Sequence, residues 1–206
     1  LFGINFTLYY NILKGNVKSA LKDVELRVYF GIVAVSILLI ALNINGTVFK
    51  SVWESLMHSA FQVTSIITTT GYVTTDFNQW PVFSKYILVL LMFIGASAGS
   101  TGGGMKVIRV VILVKVIKRE LMKIIHPRSI CSVKIGGKPV DEESTTGVLA
   151  FFFFYMLLFA VAILIVSLDG KPLETTVTAV ACTIGNVGPG LDEVGPIGNF
   201  SEFSNL

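Results

Sequence analysis

The sequence predicts an all-α integral membrane protein built from repeated units of helix, re-entrant pore loop and helix, and three observations carry that prediction. Of the 206 residues, 53% are hydrophobic and 14% charged, roughly half the charged share of an ordinary soluble domain. With a mean hydropathy of +0.75, the chain has more apolar surface than it can bury against itself, and lipid is the solvent that fits. Basic residues are clustered, with thirteen of the sixteen Lys and Arg lying in 14–27 and 106–138. Finally, two stretches repeat one order: apolar helix, short turn, semi-polar half helix, then Thr-x-Gly.

Residues 1–25 read as a polar lead containing Gly15 and Asn16, and its Lys14, Lys18 and Lys22 do not suit a signal peptide. The chain starts at Leu1 without Met and stops at Leu206 soon after a glycine-rich motif, so both ends are expected to be cut. A first unit, 26–125, opens with an apolar run over 26–42, whose 17 residues are the short limit for a spanning helix. After a turn at 43–46 comes a semi-apolar segment, 48–69, with Glu54, His58, Gln62 and Thr64 among apolar residues. Such polar groups are costly against lipid and tolerable among other helices, so this is expected to be a buried half-membrane helix. Trp80 and Tyr86 suit an interfacial aromatic belt. The stretch 82–125 would rise about 66 Å as one helix, more than twice the hydrocarbon thickness. Gly95 to Gly104 therefore marks a break inside the membrane or at its inner edge. Residues 126–145 read as a linker in which Pro127 stops the helix and Gly136-Gly137 turns a short hairpin over 132–139. A second unit, 146–206, is expected to comprise a spanning helix over 146–168, a turn through Gly170 and Pro172, and a short half helix over 173–182.

The positive-inside rule places the two basic clusters, and with them the lead and the linker, in the cytoplasm. It accounts for the charge without nucleic acid, which is not an expected partner. Cys131 and Cys182 then lie on opposite sides of the membrane, as do His58 and His126, so neither a disulfide nor a metal cluster is expected. No tightly bound cofactor is implied.

The repeated Thr-x-Gly carries the chemistry. A dehydrated alkali cation needs oxygens to replace its water, and backbone carbonyls supply them without the tight binding of a carboxylate ring. Glycine reaches the backbone angles that turn successive carbonyls toward a narrow pore. Placing Gly71 on Gly185 also places Thr69 on Thr183 and Thr64 on Thr178. The candidate cation ligands are therefore Thr69, Thr70, Gly71, Thr183, Ile184 and Gly185, with Thr64 and Thr178 in support; Gly188 and Gly190 read as turn formers. Other uses of the glycine-rich break fit less well. Met105 separates Gly104 from Lys106, so the core of a phosphate loop is missing. Gly95-Ala-Ser97-Ala-Gly99 matches a nucleophile elbow, but neither His58 nor His126 is placed to serve Ser97 as a base. An intramembrane serine hydrolase and a non-conducting scaffold stand as the alternatives.

At these residues the sequence resembles the Trk/Ktr/HKT superfamily of potassium transporters, and most closely its bacterial Trk-type pore subunit. The likeness rests on Asn5-Phe6, Glu25-Leu-Arg-Val-Tyr29, Ile67-Thr-Thr-Thr-Gly-Tyr72, Gly99-Ser-Thr-Gly-Gly-Gly-Met-Lys106, His126-Pro127 and Thr183-Ile-Gly-Asn-Val-Gly-Pro-Gly190. It implies four pore-loop units around one pore, of which this chain holds the third and the start of the fourth. By the same resemblance, Gly95, Ser97, Gly99, Ser100, Thr101, Gly102, Gly103, Gly104 and Lys106 belong to an intramembrane gating loop. Also implied are potassium as the transported ion, a bacterial inner-membrane location, a homodimer of pore subunits surrounded by membrane lipid, and a cytosolic ring of nucleotide-binding regulatory subunits.

Overall fold

The computed structural model describes residues 2–126, 132–201 and 203–204. Its helices are α1 (Phe6–Leu13), α2 (Val17–Leu21), α3 (Val24–Ile44), α4 (Val52–Ile67), α5 (Val82–Ile94), α6 (Val107–Ile125), α7 (Glu142–Val166) and α8 (Leu173–Gly185), with strands β1 (Lys134–Ile135) and β2 (Lys138–Pro139) between α6 and α7. Pro127 and Cys131 lie outside the described residues.

Both spanning helices are longer than their apolar runs, because polar caps extend them. In α3 the Asp23 side chain accepts from Leu26 N at 2.9 Å. The resulting 21 residues rise about 31 Å, which matches the hydrocarbon core. In α7, Asp141 accepts from Ser144 N at 2.8 Å, and Glu142 and Glu143 occupy the first turn, where acidic residues complement the helix dipole. That turn had been expected to belong to the linker, which instead ends at Asp141. Only 28% of the most apolar window of α3 and 11% of that of α7 are buried within the chain. Their outward surface, with Phe153, Phe154, Leu157 and Leu164 exposed on α7, suits lipid or neighbouring helices rather than water.

Helix α4 begins at Val52, later than the expected 48, because Val48 and Phe49 still bond back to Ile44 in the preceding turn. Its polarity is inverted relative to a soluble helix. Ser55, Ser59 and Gln62 are fully buried, while Trp53, Met57 and Phe61 are exposed. The serine hydroxyls return their bonds to α4's own backbone region, Ser55 to Ser51 O and Ser59 to Leu56 O, each at 3.0 Å. Across the layer, Ser84 donates to Asn43 Oδ1 at 2.7 Å, joining α5 to the end of α3. Tyr29, Ile40, Ile66, Leu88 and Met92 fill the core among these three helices.

Helices α5 and α6 are separate, as their combined length requires, with Gly95 and Lys106 at positive φ of 68° and 77° on either side of the break. The hairpin pairs Lys134 with Pro139 and Ile135 with Lys138. Gly136 and Gly137 take φ of 56° and 83°, as a two-residue turn between twisted strands needs. The lead folds as α1 and α2 rather than as an open polar segment, and its first residues pack on the break: Ser97 N donates to Gly3 O at 3.0 Å and Phe6 N to Gly99 O at 3.1 Å.

Removal of the α3 cap in Asp23→Ala is expected to cost about 1 kcal/mol. This will be read as a lower thermal midpoint of the purified protein in detergent, with Asp23→Asn close to wild type because its amide oxygen still accepts from Leu26 N.

Candidate ion site

Two half helices deliver their C-terminal ends to one place. Beyond α4, Thr69 N bonds to Ile66 O at 3.0 Å and Thr70 N to Ser65 O at 2.9 Å. Beyond α8, Asn186 N bonds to Thr183 O at 3.1 Å and Val187 N to Cys182 O at 2.8 Å. Thr69 and Asn186 both enter the left-handed region, at φ of 53° and 54°, and the glycines two residues on, Gly71 and Gly188, stand at 80° and 109°. Hydrogen bonds and dihedrals thus superimpose Thr69 on Asn186, Thr70 on Val187 and Gly71 on Gly188.

This register corrects the sequence alignment, which had paired Gly71 with Gly185. Gly185 is the last residue of α8 and corresponds to Thr68. Thr183 is within the final helical turn, its hydroxyl donating to Ala179 O at 2.7 Å, and Ile184 lines an apolar pocket with Ala162, Val166 and Phe200. Neither has the positive φ of Thr69 and Gly71. The misreading has a physical origin: Asn tolerates the left-handed conformation that the first segment forces on a threonine, so matching Thr to Thr slid the second segment by three residues. The pairing of Thr64 with Thr178 falls with it. Thr178 still supports the second segment, accepting from Leu191 N at 2.9 Å. The Thr64 hydroxyl turns back into α4, donating to Ala60 O at 2.7 Å.

The two segments touch. A Cβ on Gly71 would lie 2.2 Å from the Val187 carbonyl oxygen, and one on Gly188 would lie 3.6 Å from the Gly71 Cα. On the α4 side the chain is drawn back by Ser65, whose hydroxyl donates to Tyr72 O at 2.5 Å. Past the contact, Asn78 and Asp192 exchange two bonds, Asn78 Nδ2 to Asp192 O at 3.0 Å and Asp192 N to Asn78 Oδ1 at 2.9 Å.

The glycine-rich break lies against these segments. Gly103 N donates to Thr69 Oγ1 at 3.0 Å. A Cβ on Gly102 would stand 3.3 Å from Thr68 O, and one on Gly103 would be 2.1 Å from Gly185 O. The loop is doubled on itself, with Met105 N bonded to Phe93 O at 3.0 Å, Lys106 N to Ile94 O at 2.9 Å and Val107 N to Ala96 O at 3.1 Å. Its interior is too tight for side chains: a Cβ on Gly95 would be 2.3 Å from Gly103 O, and one on Gly104 2.9 Å from Gly95 Cα. Lys106 Nζ donates to Gly102 O, Ser100 Oγ to Ser97 O at 2.5 Å and Thr101 Oγ1 to Phe2 O at 3.4 Å. Gly99 abuts the Asn5 side chain, 3.0 Å from its would-be Cβ.

Ser97 is buried, and its hydroxyl has no partner among the described residues. His58 is occupied with Thr74 Oγ1 at 3.1 Å and stacks on Phe49, and His126 caps the far end of α6. Among the described residues, no base of the kind a serine nucleophile needs is hydrogen-bonded to Ser97. Sequence reasoning read Gly188 as a turn former and gave Val187 no place, whereas both lie against Gly71; their signal was the Asn-x-Gly matching Thr-x-Gly. It also missed the packing of Gly3 and Phe6 on the break, for which Asn5-Phe6 as a motif gave only a hint.

Gly103→Ala sets a side chain against backbone that cannot swing aside. It is expected to lower the thermal midpoint, whereas Gly147→Ala, on an exposed helical site with open space around it, is expected to leave it unchanged or raise it by the equivalent of up to about 1 kcal/mol.

Comparison with known proteins agrees with this architecture. The family model described as TrkH, cation transport protein, matches residues 9–206. The chain is 38% identical over 194 residues to the Trk system potassium uptake protein TrkH of Vibrio parahaemolyticus, covering 92% of this chain and 40% of that protein. It is 34% identical over 194 residues to the protein of the same name from Escherichia coli K12, covering 93% and 40%. Against the crystal structure of the potassium transporter TrkH from Vibrio parahaemolyticus it superimposes with a TM-score of 0.87 at 36% identity, covering 97% of this chain and 44% of that one. The chain thus spans about 40% of the length of these curated relatives. With the family model matched over nearly its whole length, this chain belongs to the TrkH family of cation transport proteins.

Proposed function

We propose that this chain forms part of the potassium pathway of a TrkH-family transporter in the bacterial inner membrane. The observation that carries the reading is the convergence of two segments with one backbone register, Gly71 against Val187 and Gly188, directly above a doubled glycine loop. Carbonyl oxygens of Thr69, Thr70 and Gly71 from the first segment and of Val187 and Gly188 from the second would take the place of water around the ion. The two remaining sectors of the ring would come from units outside this chain. Thr183, Ile184 and Gly185 act instead as the seat of the second segment, with the Gly185 carbonyl turned to Gly103.

Transport here involves no covalent step, and the chain is not an enzyme. The task is to carry a monovalent cation across a low-dielectric layer, which preplaced oxygens accomplish by offsetting dehydration. Residues 95–106 are the gate. In the present conformation the loop is bonded to the first segment through Gly103 N and Thr69 Oγ1, so ions leaving the filter inward would meet it. The remaining elements follow the family resemblance. Exposed apolar faces of α3 and α7 meet lipid or the second copy of a homodimer. The basic inner side, with Lys115 and Lys118 on α6 and Lys134 and Lys138 on the hairpin, faces a cytosolic ring of nucleotide-binding regulatory subunits.

The test uses complete four-unit pores in proteoliposomes. Gly71→Ser and Gly188→Ser are each expected to lower potassium-over-sodium selectivity about tenfold, near 1.4 kcal/mol, while Gly185→Ser alters packing against Met92 and leaves selectivity in place. Wild-type selectivity and rate in both filter variants would defeat the assignment.

A further inference from the structure

Glu25 is the one carboxylate of α3 that the structure buries, at 7% exposure, and the proposed transport reading gives it no role. Its position is specific. One oxygen, Oε1, accepts from Ala98 N at 2.7 Å and from Ile108 N at 3.1 Å. Ala98 lies before the glycine run and Ile108 in the first turn of α6, so a single side-chain atom on another helix joins the two sides of the excursion that carries Gly102 and Gly103 under the filter. Among the described residues Glu25 makes no ion pair. The cation whose field reaches it is Lys106, and Asp23 is the like charge nearby; the Lys106 ammonium is itself turned to Gly102 O, inside the excursion.

A buried carboxylate without an ion pair is expensive, and its hydrogen bonds here are of the charge-assisted kind, shorter and stronger than neutral ones. Helix packing alone does not call for it, since α3 already has its cap in Asp23. What the arrangement accomplishes is to add a side-chain clamp, from outside the loop, to a neck whose backbone is already paired. While Oε1 holds both amides, Ala98 and Ile108 cannot separate, and the tip between them stays folded against Thr69 and Gly185. The neck has other fastenings: Met105 N to Phe93 O, Lys106 N to Ile94 O and Val107 N to Ala96 O cross it within the backbone, while Ser97 N to Gly3 O and Phe6 N to Gly99 O hold the Ala98 side to the lead. Glu25 is the side chain that clamps both Ala98 and Ile108.

We propose that Glu25 is a positioning residue of the gate: its carboxylate latches the glycine loop closed, and opening requires that at least one of the two amides leave it. The latch rests on the transport reading, because it has a function only if the loop obstructs an ion path. Release is not costly in the open state if pore water reaches the freed carboxylate, which gives the device two stable arrangements rather than one.

The test compares wild type, Glu25→Ala and Glu25→Gln in the complete pore, reconstituted without any regulatory partner, by rubidium uptake and by potassium-over-sodium selectivity. Glu25→Ala removes both bonds and is expected to raise basal uptake about tenfold with selectivity unchanged. Glu25→Gln keeps an acceptor oxygen but loses its charge, and is expected to raise uptake by a smaller factor. Wild-type basal uptake in both variants would overturn the latch, as would a fall in selectivity parallel to any gain in flux, since that pattern belongs to a loosened filter. Should Glu25→Ala fail to assemble, the glutamine variant decides: raised uptake supports the latch and wild-type uptake overturns it. Absence of rubidium uptake in wild type would overturn the transport reading itself, and the latch with it.

Discussion

In a membrane interior each backbone N–H and C=O must find a partner within the protein, because no water is there to supply one. Several unusual features of this chain are local solutions to that requirement. Breaking the helix between Ile94 and Val107 frees amides and carbonyls that an unbroken helix would have used. They are recovered by doubling the chain, so that Met105, Lys106 and Val107 bond to Phe93, Ile94 and Ala96. Those that doubling cannot reach are met by side chains: Thr69 for Gly103, Lys106 for Gly102, and Glu25 for Ala98 and Ile108. The glycines follow from the same constraint, since backbone can lie against backbone only where side chains are missing, as between Gly95 and Gly103 or between Gly103 and Gly185.

The half helices meet the requirement from the other direction. A polar helix is poor against lipid, and α4 hides Ser55, Ser59 and Gln62 while presenting Trp53, Met57 and Phe61 outward. Ser65 and Thr178 extend this to the segments that follow, one donating to Tyr72 O and the other accepting from Leu191 N. The polar residues of these helices thus keep the connecting segments in place, and the ordered segments in turn fix which carbonyls remain open.

Much of this was legible in the sequence because it depends on composition over many residues. The apolar runs gave two spanning helices, the length of 82–125 demanded a break, and Gly136-Gly137 specified its hairpin. Helix ends were less legible: Asp23 and Asp141 extend α3 and α7 beyond their apolar runs, since caps are polar by nature. The register of the second segment was misread because residue identity and backbone conformation diverge there. Thr69 and Asn186 share φ near 54° without sharing chemistry. Glu25 was visible only within a motif, as its partners are 73 and 83 residues away and no periodicity connects such distant positions.

The two Gly71 and Gly188 segments reach one conformation at different cost, and they lean unequally on the glycine loop. Asn186 accepts the left-handed region by its nature. Thr69 is β-branched, and holding it there costs on the order of 1–3 kcal/mol, which surrounding bonds must offset. One of those bonds comes from Gly103, whose amide donates to the Thr69 hydroxyl. Asn186 receives no hydrogen bond from the loop among the described residues. The first segment is therefore held in part by a hydrogen bond from the glycine loop, whereas the second is held by residue type and by Thr178 behind it.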